Sequence, residues 1–456
     1  MEKINFKELV QALKEKLTGE LILPEDLNFE INARIWNTAI SQRPLMIIMA
    51  ENTTDVVQAV KFAVKHQLSL SVRGGGHDWA GRSIAKNGIL LNMRRMNHVQ
   101  VYQNEQMAVV GGGVKGIEVS RALEAYGLMA ATPTIGEVGL TGWAIGGGYG
   151  PVCPSVGLGV DNILSAEIVL ADGTVCQVNE NENEDLFWAI RGGGGNFGVI
   201  TSLAIKLYKA KPFISGMILF NASDAQTVLQ AHNRLLTTAP NELAVSAGMM
   251  HGPDGKDMVY LAPFWFGELS RGEKYIAEMI SFAEPVKADV GPMSYSDMLE
   301  LQSSFIRNDL RWSIQTRWLH SLNAEQIGII KEAINSCSSP YSIVNIHHFH
   351  GVSSGLKSDL TPFPLRAPHY MIEIVAAWEL KDDSEDQIQR QWAATLSENL
   401  KAEALPGGYI NLLGPDETEQ IKHAFGDNLS RLQKIKVKYD FHEFFNGTGI
   451  SKNKLM

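Results

Sequence analysis

The sequence predicts an α+β fold divided into two domains. Helical and strand-like segments alternate along 456 residues, which exceeds the usual length of one domain. Runs of glycine occur at 74–76, 111–113, 146–148 and 192–195, and all of them lie in the first half. The segment 213–405 alternates strands with helices instead, which is typical of a largely antiparallel sheet covered by helices on one face.

The composition narrows the class of protein. Hydrophobic residues make up 45% and charged residues 20% of the chain, as in soluble globular proteins. A net charge of −10 and the lack of a long basic run argue against nucleic-acid and anionic-membrane partners. No stretch approaches the ~20 apolar residues that cross a bilayer, and the first residues lack a secretory apolar core. We therefore expect a cytoplasmic protein.

Local patterns predict the elements of the first half. Val57, Val60 and Val64 recur at helical spacing, and Thr54 or Asp55 is available to cap that helix. Other segments show strand alternation, amphipathic helical spacing or a turn rich in glycine. The resulting predictions are a helix over 54–64, strands over 68–72, 107–110 and 204–208, a helix over 116–126, and a hairpin of strands 166–170 and 174–178.

The second half is predicted in the same way. Apolar runs of strand length alternate with segments of helical periodicity, and the tail at 420–446 returns to a helix. The clearest strands are 243–250, 258–264, 342–349 and 370–378, and the helices are 224–238, 270–283, 324–336 and 385–400.

The segment from Arg73 to His77 carries the strongest chemical signal. Three glycines without Cβ atoms let backbone amides approach a phosphate or a flat ring, and a neutral imidazole is a nucleophile. A tight turn with an ordinary histidine explains these residues equally well. Two G-x-G-x-x-G segments, 111–116 and 193–198, do not favour a nicotinamide site, because no strand ending in Asp or Glu follows the first one.

Three further blocks occur in a distinctive order. They are the uncharged, glycine-rich segment 138–150, the segment 157–162, and D-L-F-W-A-I-R-G-G-G-G-N-F-G-V at 185–199. Together with R-G-G-G-H they resemble the vanillyl-alcohol-oxidase (PCMH-type) flavoproteins. The similarity is greatest to the berberine-bridge-enzyme-like branch and its bacterial, nicotine-oxidase-type members. The resemblance implies a PCMH-type FAD domain over 1–212, completed by 408–456, and a substrate-binding domain over 213–407.

The resemblance also implies how FAD is held. His77 corresponds to the histidine that the family bonds to the 8α-methyl group of FAD. Many relatives add a cysteine tether, but the matching position is Ile135 or lies within 132–134, and Cys153 falls seven residues after Gly146. We therefore predict a single covalent link. The implied cofactor contacts are Arg73, Gly74, Gly75, Gly76, His77, Val138, Gly139, Gly142, Gly146, Gly148, Gly150, Gly198, Val199, Ile200 and Asn411.

Two candidates for the catalytic base emerge. Tyr409 and Asn411 match the family's Y-x-N element, and a tyrosine base needs a lowered pKa; a packing aromatic is the alternative. Glu373 lies in an apolar strand, either as a base or on its solvent side. His348 and His350 share a strand face and are predicted to bind substrate, although an outer polar face also explains them. We predict no metal site.

The function implied is an FAD-dependent oxidase. A C–H hydride of a small amine or alcohol would pass to flavin N5, and molecular oxygen would accept the electrons and yield hydrogen peroxide. A dehydrogenase with another acceptor and a non-catalytic FAD-binding protein are the alternatives. Whether the protein forms a homodimer is left open.

Overall fold

The computed structural model describes residues 6–252, 254–380 and 383–451. Within these residues the strands form four sheets, and no helix is both long and apolar enough to span a membrane. The strands of the first half are β1 (Glu20–Ile22), β2 (Met46–Met49), β3 (Leu70–Arg73), β4 (Ile89–Asn92), β5 (Val99–Tyr102), β6 (Met107–Gly111), β7 (Leu128–Met129), β8 (Ile163–Val169), β9 (Val175–Asn179), β10 (Val199–Lys206) and β11 (Tyr208–Lys209). Its helices are α1 (Phe6–Lys14), α2 (Phe29–Ala33), α3 (Thr53–His66), α4 (Gly116–Glu124), α5 (Leu140–Ile145), α6 (Cys153–Val156) and α7 (Glu184–Ile190).

Two sheets organise the first half. In the order β1-β2-β4-β3, strands β2, β4 and β3 run parallel and β1 is antiparallel. The order β5-β6-β10-β8-β9 is antiparallel throughout and contains the predicted hairpin of β8 and β9. Because β3 ends at Arg73, the glycine loop and His77 emerge from the carboxyl end of a parallel strand.

The cap of α3 differs from the prediction. Asn52, rather than Thr54 or Asp55, is the N-cap, and its side chain accepts the N–H of Asp55. The Asp55 carboxylate instead accepts the backbone N–H groups of Thr18 and Gly19 at 2.7 and 3.0 Å. Asp55 therefore serves a long-range contact that the local pattern does not show.

The second half forms an eight-stranded antiparallel sheet within the described residues, in the order β15-β12-β14-β13-β17-β18-β16-β19. Every strand predicted there is present. Three strands, β12, β15 and β16, were not identified from the sequence patterns. Of these, β15 is an edge strand that is largely exposed and contains Gly291 and Pro292. The strands are β12 (Phe213–Asn221), β13 (Leu243–His251), β14 (Asp257–Phe266), β15 (Lys287–Met293), β16 (Arg311–Leu319), β17 (Ile343–Phe349), β18 (His369–Trp378) and β19 (Ala404–Leu405). The helices are α8 (Ala225–Leu236), α9 (Leu269–Ile280), α10 (Tyr295–Ser304), α11 (Ala324–Asn335) and α12 (Asp383–Asn399).

The two faces of this sheet have different partners. Ile372 and Ile374 of β18 pack in one core with Val228 and Leu229 of α8, so that face is covered by helices. Residues of odd number, such as Val375, instead cluster with Trp79 of the first half. The sheet therefore turns its odd-numbered β18 side chains toward the loop that carries His77.

The tail returns to the first half through α13 (Thr418–His423) and α14 (Leu429–Tyr439). Leu432 lies in the same apolar core as Phe197. Lys436 is fully buried and donates to Asp440 and to the carbonyl of Asn196, both at 2.6 Å, and also to the carbonyl of Phe445. The described part of the chain also contains five short 3-10 helices, at Gly159–Asn162, Ala222–Asp224, Gly351–Ser353, Lys401–Glu403 and Gly426–Asn428.

Removal of the Lys436 charge should destabilise the protein strongly. We expect Lys436→Ala to lower the free energy of unfolding by about 3–5 kcal/mol, because the buried Asp440 carboxylate loses its partner. Lys438→Ala is the control on the same helix, since the Lys438–Asp185 pair (2.7 Å) is exposed to solvent, which screens it, and its loss should change the stability far less. Urea unfolding followed by tryptophan fluorescence measures both, and equal losses would contradict the structural role of Lys436.

Candidate active site

The two glycine loops of the first half touch each other. A Cβ atom at Gly75 would overlap the backbone of Gly139, and one at Gly139 would overlap Gly75, so both positions need glycine. Gly76 turns the chain with a φ of +77°, a region that favours glycine. The guanidinium of Arg73 is buried and donates to the carbonyl of Asn32 at 2.6 Å, which fixes the base of the loop.

His77 stands where these loops meet. Its Nε2 atom is buried and has no hydrogen-bond partner among the described residues, and its ring stacks on Trp36 at 4.4 Å with an angle of 17°. Burial lowers the pKa of His77 to about 4, so the imidazole is neutral at physiological pH. A neutral ring nitrogen that no protein group occupies is suited to bond formation with a ligand.

The surrounding groups fit FAD. Besides His77, buried polar atoms without a protein partner include Trp36 Nε1, Ser83 Oγ and Thr141 Oγ1, all on segments next to these loops. A Cβ atom at Gly142 would meet no atom within 4 Å, so the backbone there is open to a ligand. Orphaned donors and bare backbone are what a large polar cofactor satisfies.

Strand packing accounts for three of the predicted cofactor contacts, Gly198, Val199 and Ile200. Gly198 precedes β10, and a Cβ atom there would overlap Val169 and Ile168 of β8. Val199 and Ile200 are buried and pair with Val169 and Ile168. Their contact with a cofactor stays a prediction.

Tyr409 and Asn411 meet the second glycine loop. The Tyr409 hydroxyl oxygen accepts the N–H of Gly148 at 3.1 Å and Asn411 Nδ2–H at 2.9 Å. A Cβ atom at Gly146 would overlap Asn411 Oδ1, so this loop fits closely around the Y-x-N segment. Burial raises the pKa of Tyr409 to about 12 although both donors act in the opposite direction. The phenol is therefore neutral.

Two polar side chains join the His77 loop to the rest of the site. Asn37 is buried and donates through Nδ2 to the carbonyls of Trp79 and of Trp312 in β16, at 2.7 and 3.0 Å. Arg82 pairs with Asp78 at 2.9 Å. The same guanidinium donates to the carbonyls of residues 410 and 411, both at 2.9 Å. The loop is thus tied to the large sheet on one side and to the Y-x-N segment on the other.

Glu373 lies on the sheet face that turns toward this loop. Its Oε2 atom accepts Asn345 Nδ2–H at 2.9 Å and His347 Nε2–H at 3.2 Å. Burial by itself raises the pKa of Glu373, but the hydrogen bonds and charge of His347 outweigh it and hold the pKa below its ordinary value. Glu373 is near enough to His77 that a charge on that ring would also lower its pKa, but burial keeps the ring neutral at physiological pH. Glu373 is therefore an ionised carboxylate close to the candidate cofactor site.

The structure does not bring His348 and His350 to this cluster. His348 lies on β17, on the face opposite to Asn345 and His347, and His350 follows directly after the strand; their rings stack on each other at 5.0 Å. His348 also contacts Tyr370, which belongs to the helix-covered core. Burial lowers the pKa of His348 to about 2. Substrate binding by these two residues stays a prediction without support from their position.

Aromatic side chains form the wall beside Tyr409. The ring of Tyr149 lies 4.5 Å from that of Tyr409 and 3.7 Å from that of Phe349. Its hydroxyl is 3.0 Å from His369 Nε2; because His369 Nδ1–H donates to a backbone carbonyl, Nε2 accepts the Tyr149 proton. Nearby, Arg366 and Asp161 form a buried bidentate pair at 2.8 Å.

Neither of the two predicted tether positions, Ile135 or the segment 132–134, carries a thiol. Within that segment Thr132 is buried, with its hydroxyl 2.9 Å from that of Tyr295. Cys153 is also buried; its thiol accepts the N–H of Gly150 at 3.1 Å, and burial raises its pKa to about 12. Among the described residues, no cluster of His, Cys, Asp or Glu could hold a metal ion.

Several residues that contribute to the site were not predicted from the sequence. Trp36, Asn37 and Trp312 are isolated in the sequence and follow no motif, so only the fold reveals them. His347 precedes His348 in the sequence. Strand alternation places it on the face opposite to His348 and His350, the two histidines that we predicted to bind substrate. The pairing with Glu373 required the register of β17 and β18, which no local pattern shows.

Comparisons with known proteins agree with this geometry. A family model described as FAD binding domain matches residues 44–179, and one described as Berberine and berberine like matches residues 408–448. An FAD-linked oxidoreductase of Dictyostelium discoideum is 28% identical over 456 residues, which cover 98% of each chain. (R)-6-hydroxynicotine oxidase of Paenarthrobacter nicotinovorans is 32% identical over 292 residues, or 63% of each chain.

A solved structure confirms the fold. The crystal structure of 6-hydroxy-D-nicotine oxidase from Arthrobacter nicotinovorans matches with a TM-score of 0.86 at 26% identity, and the match covers 96% of this chain and 98% of that one. The PCMH-type, two-domain α+β prediction is therefore confirmed. The first matched family model contains the His77 loop and the second contains Tyr409 and Asn411. The chain therefore carries an FAD binding domain and a berberine-like domain, and it is an FAD-linked oxidoreductase similar to 6-hydroxy-D-nicotine oxidase.

Proposed function

We propose that the protein is an FAD-dependent oxidase of a small amine or alcohol, with Glu373 as its catalytic base. The observation that carries the proposal is an ionised carboxylate, held by His347 and Asn345, on the sheet face next to His77. A base of this kind serves proton removal from a substrate O–H or N–H. The relatives named as nicotine oxidases act on an amine-containing molecule, which agrees with the substrate class.

The reaction removes two hydrogens from adjacent atoms of the substrate. Glu373 takes the O–H or N–H proton, and a new C=O or C=N bond forms as the neighbouring C–H bond breaks. When bound, FAD would supply the hydride acceptor, and its reoxidation by molecular oxygen, with uptake of the proton released from Glu373, would give hydrogen peroxide. The aromatic wall of Tyr149, Phe349 and Phe363 excludes water and packs against a flat, apolar substrate.

Tyr409 has a different role in this proposal. Its pKa of about 12 keeps the phenol neutral, so it is a poor base at neutral pH. Its hydroxyl oxygen instead gathers the N–H of Gly148 and the amide of Asn411, which fixes the loop beside the cofactor. Glu373 is the better candidate because its carboxylate is already deprotonated at neutral pH and can accept a proton.

We also propose that His77 forms the single covalent link to FAD. The unpartnered Nε2 atom and the neutral ring support attachment. The threonine at position 132 and the protonated, hydrogen-bonded thiol of Cys153 support the lack of a second link. In this proposal residues 1–212 with 408–456 hold FAD, and residues 213–407 bind substrate.

The oxidase activity is tested by a substrate panel under anaerobic conditions. We expect at least one small amine or alcohol to bleach the flavin absorbance, and admitted air should restore the colour with release of one hydrogen peroxide per turnover. Bleaching without recovery in air would instead indicate a dehydrogenase. No bleaching by any member of a broad panel would contradict the enzyme proposal.

The covalent link is tested by denaturation. Acid-precipitated wild-type protein should retain the flavin, and peptide mass spectrometry should find the FAD mass on the peptide that contains His77. His77→Ala should release all flavin into the supernatant, because no second nucleophile is available. Cys153→Ala is the control and should retain the flavin fully. Free FAD from denatured wild-type protein would disprove the link.

The base is tested by Glu373→Gln, which keeps the size of the side chain but cannot accept a proton. We expect kcat/KM to fall by about 10²- to 10⁴-fold with FAD retained. In wild type, activity should require the carboxylate and decline only as pH falls through the lowered pKa of Glu373, below the ordinary glutamate range. Glu379→Gln, at an exposed position just after β18, is the control. A Glu373→Gln enzyme with unchanged kcat/KM would exclude Glu373 as the base.

A further inference from the structure

Glu373 has one oxygen that is bound and one that is free. In the pairing of β17 with β18, Asn345 stands directly opposite Glu373, and His347 lies two residues further along on the same face. Both side chains donate to Oε2. No side chain among the described residues donates to Oε1, and the carboxylate side chain keeps 16% of its surface exposed. The network therefore holds the group without blocking it.

Resting on the proposed role of Glu373 as the base, we infer that His347 is a positioning residue for proton removal. Through Oε2 it keeps the Glu373 carboxylate ionised and oriented, so that Oε1 receives the O–H or N–H proton of the substrate. His347 itself does not take that proton. It keeps its own Nε2 proton, the substrate O–H or N–H bond breaks, and the new O–H bond forms at Oε1.

A second layer of the sheet fixes both donors. The Tyr260 hydroxyl donates to Asn345 Oδ1 at 2.6 Å, which leaves Asn345 Nδ2 to face Glu373. Ser246 stands opposite His347 in the pairing of β13 with β17, with its hydroxyl 3.4 Å from His347 Nδ1. The Ser246 hydroxyl therefore contacts the ring nitrogen remote from Glu373. This contact orients the ring so that Nε2–H meets the carboxylate.

The charges around Glu373 make His347 the decisive partner. The titratable groups that face the carboxylate are His347 and Tyr260 from the sheet and His77 from the loop opposite. Burial raises the pKa of Tyr260, and burial lowers that of His77, so both are neutral at physiological pH. Burial alone would protonate Glu373, and the hydrogen bond and charge of His347 are the largest contributions against it.

The test compares FAD-loaded His347→Leu and His347→Gln with wild type. The readout is the pH profile of kcat/KM for the substrate that bleaches the flavin fastest. We expect the acid limb of His347→Leu to move to higher pH by about one unit or more, because the carboxylate loses a donor. His347→Gln, which keeps an N–H donor, should move it less. Coincident acid limbs of wild type and His347→Leu would overturn the inference.

His251→Leu is the matched control. His251 also pairs with a carboxylate, that of Asp257 at 2.8 Å, between two strands of the same sheet. Because that pair lies at the far end of β13 from the site, His251→Leu should leave the acid limb in place. A shift of the same size in His251→Leu would show a general effect on the sheet and overturn the specific role of His347.

Infrared difference titration distinguishes the effect of His347 on the Glu373 carboxylate from the role of Glu373 as the base. The protonated-carboxyl band of Glu373, identified by its loss in Glu373→Gln, should appear at higher pH in His347→Leu than in wild type, without any turnover. An unshifted band overturns the hold of His347 on the carboxylate but leaves Glu373 as the base. Full activity of Glu373→Gln overturns the base and with it the catalytic use of His347, whatever the band shows.

Discussion

The site depends on one buried amide, that of Asn37. Its Nδ2 group donates to the carbonyl of Trp79, and its Oδ1 atom accepts the backbone N–H of Trp312 at 3.0 Å. The first contact belongs to the loop of His77 and the second to the large sheet that carries Glu373. A buried amide that lost either partner would leave a polar group unsatisfied in the interior, so the alignment of the loop and the sheet is enforced by hydrogen bonding as well as by packing. The stack of His77 on Trp36, and of Trp36 against Trp312, follows from that alignment.

Burial determines which groups carry a charge in the crevice, by which we mean the space between the His77 loop and the large sheet that carries Glu373. It keeps the rings of His77 and His369 neutral, and it keeps the Tyr409 phenol and the Cys153 thiol protonated. Glu373 is the exception, since hydrogen bonds from its neighbours outweigh the desolvation of its charge. The crevice therefore combines a neutral nucleophile with an ionised acceptor of protons. Two buried groups whose environments favour opposite charge states are typical of sites that bind a cofactor and also remove a proton.

The sequence alone reveals the elements with strong periodicity and the loops with unusual composition. Strands such as β13 and β18 and the glycine loop before His77 follow from local pattern, because burial on one face or close backbone approach leaves a mark on consecutive residues. The predicted cap of α3 was wrong because the Asp55 carboxylate accepts the backbone N–H groups of Thr18 and Gly19, which are distant in the sequence. The partners of Glu373 could not be found for the same reason. His347 lies beside Glu373 only because of the register of β17 and β18. His348 and His350 were predicted to bind substrate because they share a face, but the sequence does not show that helices cover that face.

The buried ammonium of Lys436 has a consequence for biosynthesis. The ammonium binds the carbonyls of Asn196 and Phe445 at once, so the glycine-rich segment before Phe197 is completed by residues more than two hundred positions later. When only the first half of the chain has been synthesised, the crevice is incomplete, because Tyr409, Asn411 and all of α14 have not yet been translated. Assembly of the crevice around its cofactor must wait until the tail has emerged and folded back. The order of synthesis therefore makes cofactor binding a late event in the maturation of this protein.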